Sequence, residues 1–273
     1  KNIFAAHMAI ETIIKAVPKT EVAHKVLSLV QPILESDNPQ FVKVAARTVK
    51  EVVRIVPEIE VAHASLSLVQ TLIANKSIDV AQETIEGIVK AVPQMEIAHR
   101  ALSLVQPLIE SENTVLVQMA AKTMVGIVKA MPKVEVAQEV LGRMKPLLES
   151  KNASLIQIAS KVMQDLALVV PQVKNNVLEV MSELFKAFPQ MEVAQEVLKQ
   201  ATFLLGSKDA ASAKIAIKTM TEVVAAFPSI VNEAFTMLKP LLLDNHAKAL
   251  ANEAIVGIVQ ALPTSLVAYS ALG

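Results

Sequence analysis

The sequence contains no cysteine and no tryptophan, and it is poor in other aromatic residues and in glycine. Among its 273 residues there are one tyrosine, seven phenylalanines and six glycines. The absence of cysteine excludes structural disulfides and cysteine-based zinc sites. The scarcity of glycine argues against a turn-rich β fold. Hydrophobic residues make up 53% of the chain, and most are aliphatic, which is typical of helix-on-helix packing. We therefore expect an all-α protein.

The chain also lacks an excess of charge of either sign, with 26 basic and 26 acidic residues. This balance removes the strongest electrostatic argument for binding nucleic acid or an anionic membrane surface. Residues 1–18 have no signal-peptide layout. A charge-free window at 254–273 contains Pro263 near its centre, which predicts two short buried helical pieces rather than a membrane span. We expect no nucleic-acid partner, no membrane span and a cytoplasmic location.

Prolines preceded by an apolar residue recur along the whole chain. They stand at Pro18, Pro57, Pro93, Pro132, Pro171, Pro189, Pro228 and Pro263. The successive intervals are 39, 36, 39, 39, 18, 39 and 35 residues, so the period is close to 39 with one half-length exception. A fixed period of this size is the signature of a solenoid, in which each unit buries its apolar face against its neighbours.

Each unit contains two helical patterns, named here helix A and helix B. We expect helix A to begin at the proline, with a glutamate three residues later that favours the helix dipole. Apolar residues follow at offsets 4, 5, 8, 9, 12, 15 and 16 from the proline, and a polar loop such as ESDNP (35–39) ends the helix. Helix B runs to the next proline and usually has alanine twelve residues before it, where helices can approach closely. These alanines are Ala45, Ala81, Ala120, Ala159, Ala216 and Ala251.

The half-length interval, residues 171–189, predicts a single helix where two are expected. We expect one α-solenoid over residues 1–273, with about 15 helices and an irregular junction at 171–189. The two ends show no obvious polar cap, so we expect either a longer array or ends that something else covers.

The stretch VQPILESDNPQFVKVAARTVKEVV (30–53) resembles a HEAT repeat. It has a proline in helix A, an acidic turn residue at Asp37, and a basic residue at Lys43 ahead of a small-apolar helix B. The helix-A proline is matched at Pro32, Pro107, Pro146 and Pro240. Two units depart from the pattern and have Thr71 and Phe203 in place of the helix-A proline. The resemblance covers almost the whole chain and implies a right-handed α-solenoid of antiparallel helix pairs. Armadillo-like packing is the near alternative.

Three histidines, His24, His63 and His99, stand six residues after their prolines, and Gln138 and Gln195 take this place later. Equivalent positions in stacked helices lie about 8–10 Å apart, whereas a zinc ion needs each nitrogen at about 2.0–2.1 Å. We therefore predict polar helix-edge residues rather than a metal site, with a pH-responsive row as the alternative. No catalytic triad, HExxH motif, phosphate loop or carboxylate pair appears. We expect no enzyme activity, cofactor or metal.

Basic residues form rows on helix B, which the resemblance places on the concave side of the array. Gly126, like Gly87 and Gly257, stands mid-helix, where glycine costs about 1 kcal/mol relative to alanine. A glycine there suggests close approach of a neighbour or a ligand. We predict a mixed-charge partner-binding surface made of Lys15, Arg47, Arg54, Lys90, Lys122, Gly126, Lys129, Lys161, Lys186 and Lys218.

A purely structural explanation of the same rows stays open. Lysines near the ends of helix B stabilise the helix dipole, and three pairs have the i,i+4 spacing of ionic attraction. These pairs are Glu11–Lys15, Arg47–Glu51 and Lys218–Glu222.

We predict a non-catalytic scaffold or adaptor that binds an extended or helical segment of a protein or peptide partner along helix B. Two alternatives stay open. A carrier of apolar ligands predicts an unfilled cavity lined by methionine and valine. A structural array predicts end-to-end self-association.

Overall fold

A computed structural model describes residues 3–187, 189–206 and 209–262. Within these ranges the regular structure is α-helical apart from two short 3-10 turns, Pro171–Val173 and Pro228–Ile230. The fourteen helices of the described ranges are α1 (Ile3–Ala16), α2 (Thr20–Leu34), α3 (Pro39–Ile55), α4 (Ile59–Ala74), α5 (Ile78–Ala91), α6 (Met95–Ile109), α7 (Thr114–Ala130), α8 (Val134–Leu148), α9 (Ala153–Val169), α10 (Lys174–Ala187), α11 (Met191–Leu205), α12 (Ala210–Ala226), α13 (Val231–Leu243) and α14 (Lys248–Ala261).

The helix expected after Pro263 lies outside the described residues, as does the second half of the 254–273 window. In the part of the chain that the structure describes, no helix combines the length and the apolarity that crossing a bilayer requires.

The chain divides into two compact units, Lys1–Val140 and Leu141–Gly273. In the first unit the A helices pack in the order α2, α4, α6, and the B helices pack in the order α1, α3, α5, α7. In the second unit α11 packs against α13, and α12 against α14. Successive helices are joined by short loops. Each unit is therefore a stack of helix pairs with the neighbour-to-neighbour packing of an α-solenoid.

The expected start of helix A is wrong at Pro18, Pro57, Pro93, Pro132 and Pro189, where the helix begins two residues after the proline. At Pro171 and Pro228 a 3-10 turn does begin at the proline and leads into α10 and α13. Helix α4 begins two residues after Pro57. The residue before a proline is disfavoured in the α region, and Val56 accordingly has φ −120° and ψ 79°. The Glu58 N–H then donates to the Val56 carbonyl at 2.8 Å, closing a γ-turn across the proline. The same bond is donated by Lys19, Gln94 and Lys133.

The polar loop before helix B is held by a side-chain cap. Asn38 Oδ1 accepts from the Gln40 N–H at 3.0 Å. The same cap is made at 3.0 Å by Asn113 and Asn152. In α12 the cap is Asp209, whose pKa is lowered by hydrogen bonds from the Ser212 hydroxyl and N–H and from the Ala211 N–H. The stability from this cap is fully present above the unfolded-state pKa and is lost as the pH falls through the lowered value.

The core follows the predicted apolar positions of helix A. In α6 the residues at offsets 4, 5, 8 and 9 from Pro93 are fully buried. On helix B, six alanines that stand twelve residues before a closing proline are at most 2% exposed, namely Ala45, Ala81, Ala120, Ala159, Ala216 and Ala251, whereas Ala6 in α1 is exposed. Burial of aliphatic surface stabilises by roughly 25 cal/mol per Å². The hydrophobic core of each unit therefore lies between its A helices and its B helices.

A row of buried threonines on helix B was not predicted. They stand nine residues before the closing proline and are at most 3% exposed, at Thr48, Thr84, Thr123 and Thr219. The Thr48 hydroxyl donates to the Val44 carbonyl at 3.0 Å, and Thr84 donates to Val80 at 2.6 Å. Thr48 also lies 2.8 Å from Nδ1 of the buried His7. A hydrogen bond thus joins α1 to α3.

Replacing Thr48 with valine is expected to lower the free energy of unfolding by about 1–3 kcal/mol, because Nδ1 of His7 is left buried without its partner. The control is Thr84→Val, which loses a bond only to its own helix and is expected to change stability by about 0.5 kcal/mol or less. Urea denaturation followed by circular dichroism measures both. Equal losses in the two variants would contradict the inter-helix bond.

The half-length interval contains α10, which follows the 3-10 turn at Pro171. In the second unit α10 packs beside α12, as successive B helices do. Asn175 Oδ1 lies 2.5 Å from the Ser212 hydroxyl, and Lys186 Nζ lies 3.3 Å from Glu222 Oε2. The extra helix therefore takes the place of a helix B without a helix A before it.

Candidate partner-binding groove

Two glycines on helix B lie under a side chain from the preceding helix B. A Cβ atom placed on Gly87 would lie 2.9 Å from Cδ of Lys50. A Cβ atom placed on Gly126 would overlap the carboxylate of Glu86 and lie 2.7 Å from its Cγ. Real Cβ atoms do not approach other atoms so closely, so with any other residue at Gly87 or Gly126 the flexible Lys50 or Glu86 side chain would have to move. The close approach expected at these glycines is made by the neighbouring repeat.

The second unit repeats this relation between α12 and α14. A Cβ atom on Gly257 would lie 2.8 Å from the Thr221 hydroxyl oxygen. In all three cases the covering residue stands seven positions before its closing proline, and the glycine stands six positions before the next one. We name each such pair a cross-repeat contact.

An open groove on the first unit lies over these contacts. One part has a volume of about 440 Å³, with a lining that includes Lys50, Glu83, Glu86, Lys90, Gly126 and Lys129. The adjoining part has a volume of about 770 Å³, lies between α3 and the N-terminal half of α5, and shares Lys50 and Glu83 with the first. We call the two parts together the helix-B groove.

The carboxylates in the middle of the groove are engaged within the protein. Glu83 Oε2 lies 3.6 Å from Lys50 Nζ. Glu86 Oε1 accepts from Gln82 Nε2 at 3.0 Å. By contrast, five basic side chains of the lining have no ion-pair partner among the described residues: Lys43, Arg47, Lys76, Lys90 and Lys129. Asp79 in the same lining also has no ion-pair partner among the described residues, so the groove presents an excess of unpaired positive charge although the whole chain is neutral.

Several residues of the predicted surface come together in this groove. Lys90, Gly126 and Lys129 line its smaller part, and Arg47 lines its larger part. Gly126 is buried under Glu86, whereas the three cations are exposed. Lys122 is exposed on α7 outside the two linings.

Two other predicted residues are held in local ion pairs. Lys15 Nζ donates to Glu11 Oε1 at 2.5 Å, and this bond lowers the pKa of Glu11. Arg54 Nε donates to Glu51 Oε2 at 2.8 Å, and this bond raises the pKa of Arg54. Glu51 thus pairs with Arg54 and not with Arg47 as expected. Arg47 makes no ion pair among the described residues but contributes to the lowered pKa of Glu11.

The predicted residues of the second unit are also ion-paired. Lys161 Nζ lies 3.1 Å from Asp165 Oδ1. Lys186 and Lys218 lie 3.3 Å and 3.8 Å from the two carboxylate oxygens of Glu222. In this unit the basic row matches the purely structural explanation.

The groove is also lined by residues that were not among the predicted surface residues: Lys50, Lys76, Glu83 and Glu86. One signal was available on α3, where Lys43, Arg47 and Lys50 are four and three residues apart and so share a helix face. The second signal was the position of the glycines. Each glycine stands six residues before its closing proline, and the residue that covers it stands seven residues before the closing proline of the preceding repeat.

Two of the three recurring histidines, His63 and His99, join A helices of neighbouring repeats. His63 Nε2 donates to Glu96 Oε1 at 2.8 Å, and His99 pairs with a glutamate on α8. Where glutamine replaces histidine, Gln195 Nε2 donates to Glu233 Oε2 at 2.9 Å. Histidine and glutamine thus serve the same inter-repeat bond.

No protein-family model matches the sequence, and no curated protein matches it. Among solved structures, an engineered protein has 18% identity and a TM-score of 0.41, over 85% of this chain and 98% of its own. A second engineered protein has 16% identity and a TM-score of 0.39, over 87% and 97%. A computationally designed armadillo repeat protein for modular peptide recognition has 15% identity and a TM-score of 0.37, over 87% and 100%.

The assignment of the fold follows from features of the sequence and the structure themselves. Helix pairs recur with a period near 39 residues, prolines lie inside α2, α6, α8 and α13, and asparagine-capped turns lead into helix B. Within each unit every pair packs on its neighbours. The fold is that of a HEAT/armadillo-like helical repeat.

Proposed function

We propose that this protein is a non-catalytic scaffold that binds an extended or helical segment of a protein partner in the helix-B groove. The observation that carries the proposal is an open groove over successive B helices whose basic side chains, Lys90 and Lys129 among them, have no ion-pair partner in the described ranges. Exposed, unpaired charges favour association with a partner of complementary charge.

The dimensions of the groove suit one polypeptide segment. Helix α5, which forms its centre, has 14 residues, which corresponds to about 21 Å at 1.5 Å per residue. An extended segment covers this length with about six residues. Sites for apolar ligands are lined mainly by apolar and aromatic side chains, whereas charged side chains dominate this lining. The groove therefore supports a protein partner over an apolar ligand.

Charge reversal at two groove positions tests the proposal. A displayed library of random peptides is selected against the intact chain, and the selected peptides are measured against Lys90→Glu/Lys129→Glu. We expect affinity to fall by about tenfold or more, because two unpaired cations become anions where the partner docks. Circular dichroism and the melting temperature verify that the variant is folded.

The matched control is Lys25→Glu on α2, an exposed lysine of helix A that has no ion-pair partner within the described ranges. It changes the charge of the chain in the same direction but lies on the other helix layer. Binding that survives both the double reversal and the control would contradict the groove as the site. A control that loses about half as much binding free energy as the double reversal, in proportion to its smaller change of charge, would reveal an effect of overall charge alone.

A further inference from the structure

We infer that the segment bound in the helix-B groove is acidic at both of its ends and uncharged in its centre. The inference rests on the proposed function and concerns the chemistry of the partner. It follows from which charges of the groove are already paired and from where the unpaired ones lie.

The unpaired cations form two groups. Lys43, Arg47 and Lys76 line the larger part of the groove, around the N-terminal half of α5. Lys90 and Lys129 line the smaller part, at the C-terminal ends of α5 and α7. None of the five has an ion-pair partner in the described ranges. At both ends these cations outnumber the carboxylates that lack an ion-pair partner, of which Asp79 lines the larger part, so carboxylates of a ligand would meet an excess of positive charge.

The region between the two groups has a different character. Glu83 and Glu86 lie there, and their partners are Lys50 and Gln82. An acidic residue of a ligand above them would meet like charge, which is destabilising. Serine, glycine or an amide side chain has no such penalty. The centre of the ligand is therefore expected to be uncharged.

The same arrangement favours a peptide over a nucleic acid. A nucleic-acid strand carries a phosphate on every nucleotide, so a strand along the groove would place phosphates against Glu83 and Glu86. A peptide can leave these positions uncharged and keep its carboxylates for the ends. About six extended residues match the length of α5.

Fluorescence anisotropy of the intact chain at low ionic strength tests the inference with four probes. The first is a labelled peptide with two glutamates at each end of a serine–glycine centre. The second and third replace the glutamates with glutamine or lysine, and the fourth is a short single-stranded oligonucleotide. We expect the glutamate peptide to bind saturably and about tenfold more tightly than the glutamine peptide, with weaker binding of the other two. This preference should shrink as salt is added.

Two variants connect the binding to the groove. Lys90→Gln/Lys129→Gln is expected to lower the affinity for the glutamate peptide by about tenfold. Glu83→Gln removes the partner of Lys50, so the groove gains an unpaired cation. We expect this variant to bind the glutamate peptide about two- to fivefold more tightly. A misfolded variant would not gain affinity.

Equal affinity for the glutamate and glutamine peptides, or no saturable binding of the glutamate peptide, would overturn the acidic ligand. The groove proposal would then be tested separately, by the binding of the selected peptides to Lys90→Glu/Lys129→Glu. Tighter binding of the oligonucleotide than of the glutamate peptide would also overturn the inference. Binding of the glutamate peptide that neither variant changes would overturn both the inference and the groove.

Discussion

Replacing Gly126 with alanine is expected to lower the free energy of unfolding by up to about 1 kcal/mol, because the flexible Glu86 side chain, Cγ included, must rotate away and give up its bond to Gln82. In an unconstrained helix the same change would stabilise by about 1 kcal/mol, because alanine is the better helix former. At Gly126 the new methyl group would overlap the carboxylate of Glu86 and lie 2.7 Å from its Cγ. That carboxylate is held by Gln82 at 3.0 Å, and α5 packs directly against α7. Urea denaturation followed by circular dichroism measures the change.

Gly142 in α8 is the matched control, because a Cβ atom placed there has no neighbour within 4 Å. Gly142→Ala is expected to stabilise by about 0.5–1 kcal/mol. Adding Glu86→Ala to Gly126→Ala removes the overlapping side chain, so the double variant should recover most of the loss and show a coupling of about 1 kcal/mol or more. A Gly126→Ala variant that is stabilised as much as Gly142→Ala would contradict the cross-repeat contact.

Truncating Leu27 to alanine is expected to cost about 2–5 kcal/mol of unfolding free energy, the range for a fully buried leucine. Leu27 is 3% exposed in α2, at offset 9 from Pro18. Its removal leaves a cavity between α2 and the helices that pack on it, α3 and α4. The loss appears as a lower urea midpoint with an unchanged slope.

The same helix supplies the control for this prediction. Leu29 is 66% exposed and lies two residues further along α2. Leu29→Ala is the same chemical change in the same helix, so it has the same intrinsic helix propensity and is expected to stay within about 0.5 kcal/mol of the parent. A comparable loss in both variants would mean that the buried face of α2 is assigned incorrectly.

The buried face of each helix was predictable because helical periodicity is a local property. Offset 9 belongs to the apolar stripe that repeats in α2, α4 and α6, and Leu27, Leu66 and Leu102 are all buried there. Offset 11 is outside the stripe, and Leu29 is exposed accordingly, whereas Leu68 at the same offset in α4 is buried. The start of helix A was predicted two residues too early where a γ-turn closes across the proline, as at Pro57. Pro228 does begin a helical turn, although the residue before it has a backbone conformation similar to that of Val56.

The charged site was predictable only in part. The sequence indicates which lysines lie on helix B, but not which of two basic side chains forms an ion pair with a given carboxylate. Arg47 and Arg54 are four and three residues from Glu51, both within reach on a helix, and the structure pairs Glu51 with Arg54. The covering of Gly126 by Glu86 depends on the register between two helices, and no pattern within one helix contains that register.

The cross-repeat contacts bear on how such a chain can change by duplication or by exchange of its repeats. A unit that carries glycine at this position fits a predecessor with a long covering side chain, as Gly126 fits Glu86. At the equivalent places α10 has the small Ser182 and α12 the larger Glu222, so the sizes are reversed. When repeats are duplicated or exchanged, the two residues of a cross-repeat contact therefore have to be kept together, although they belong to two different repeats.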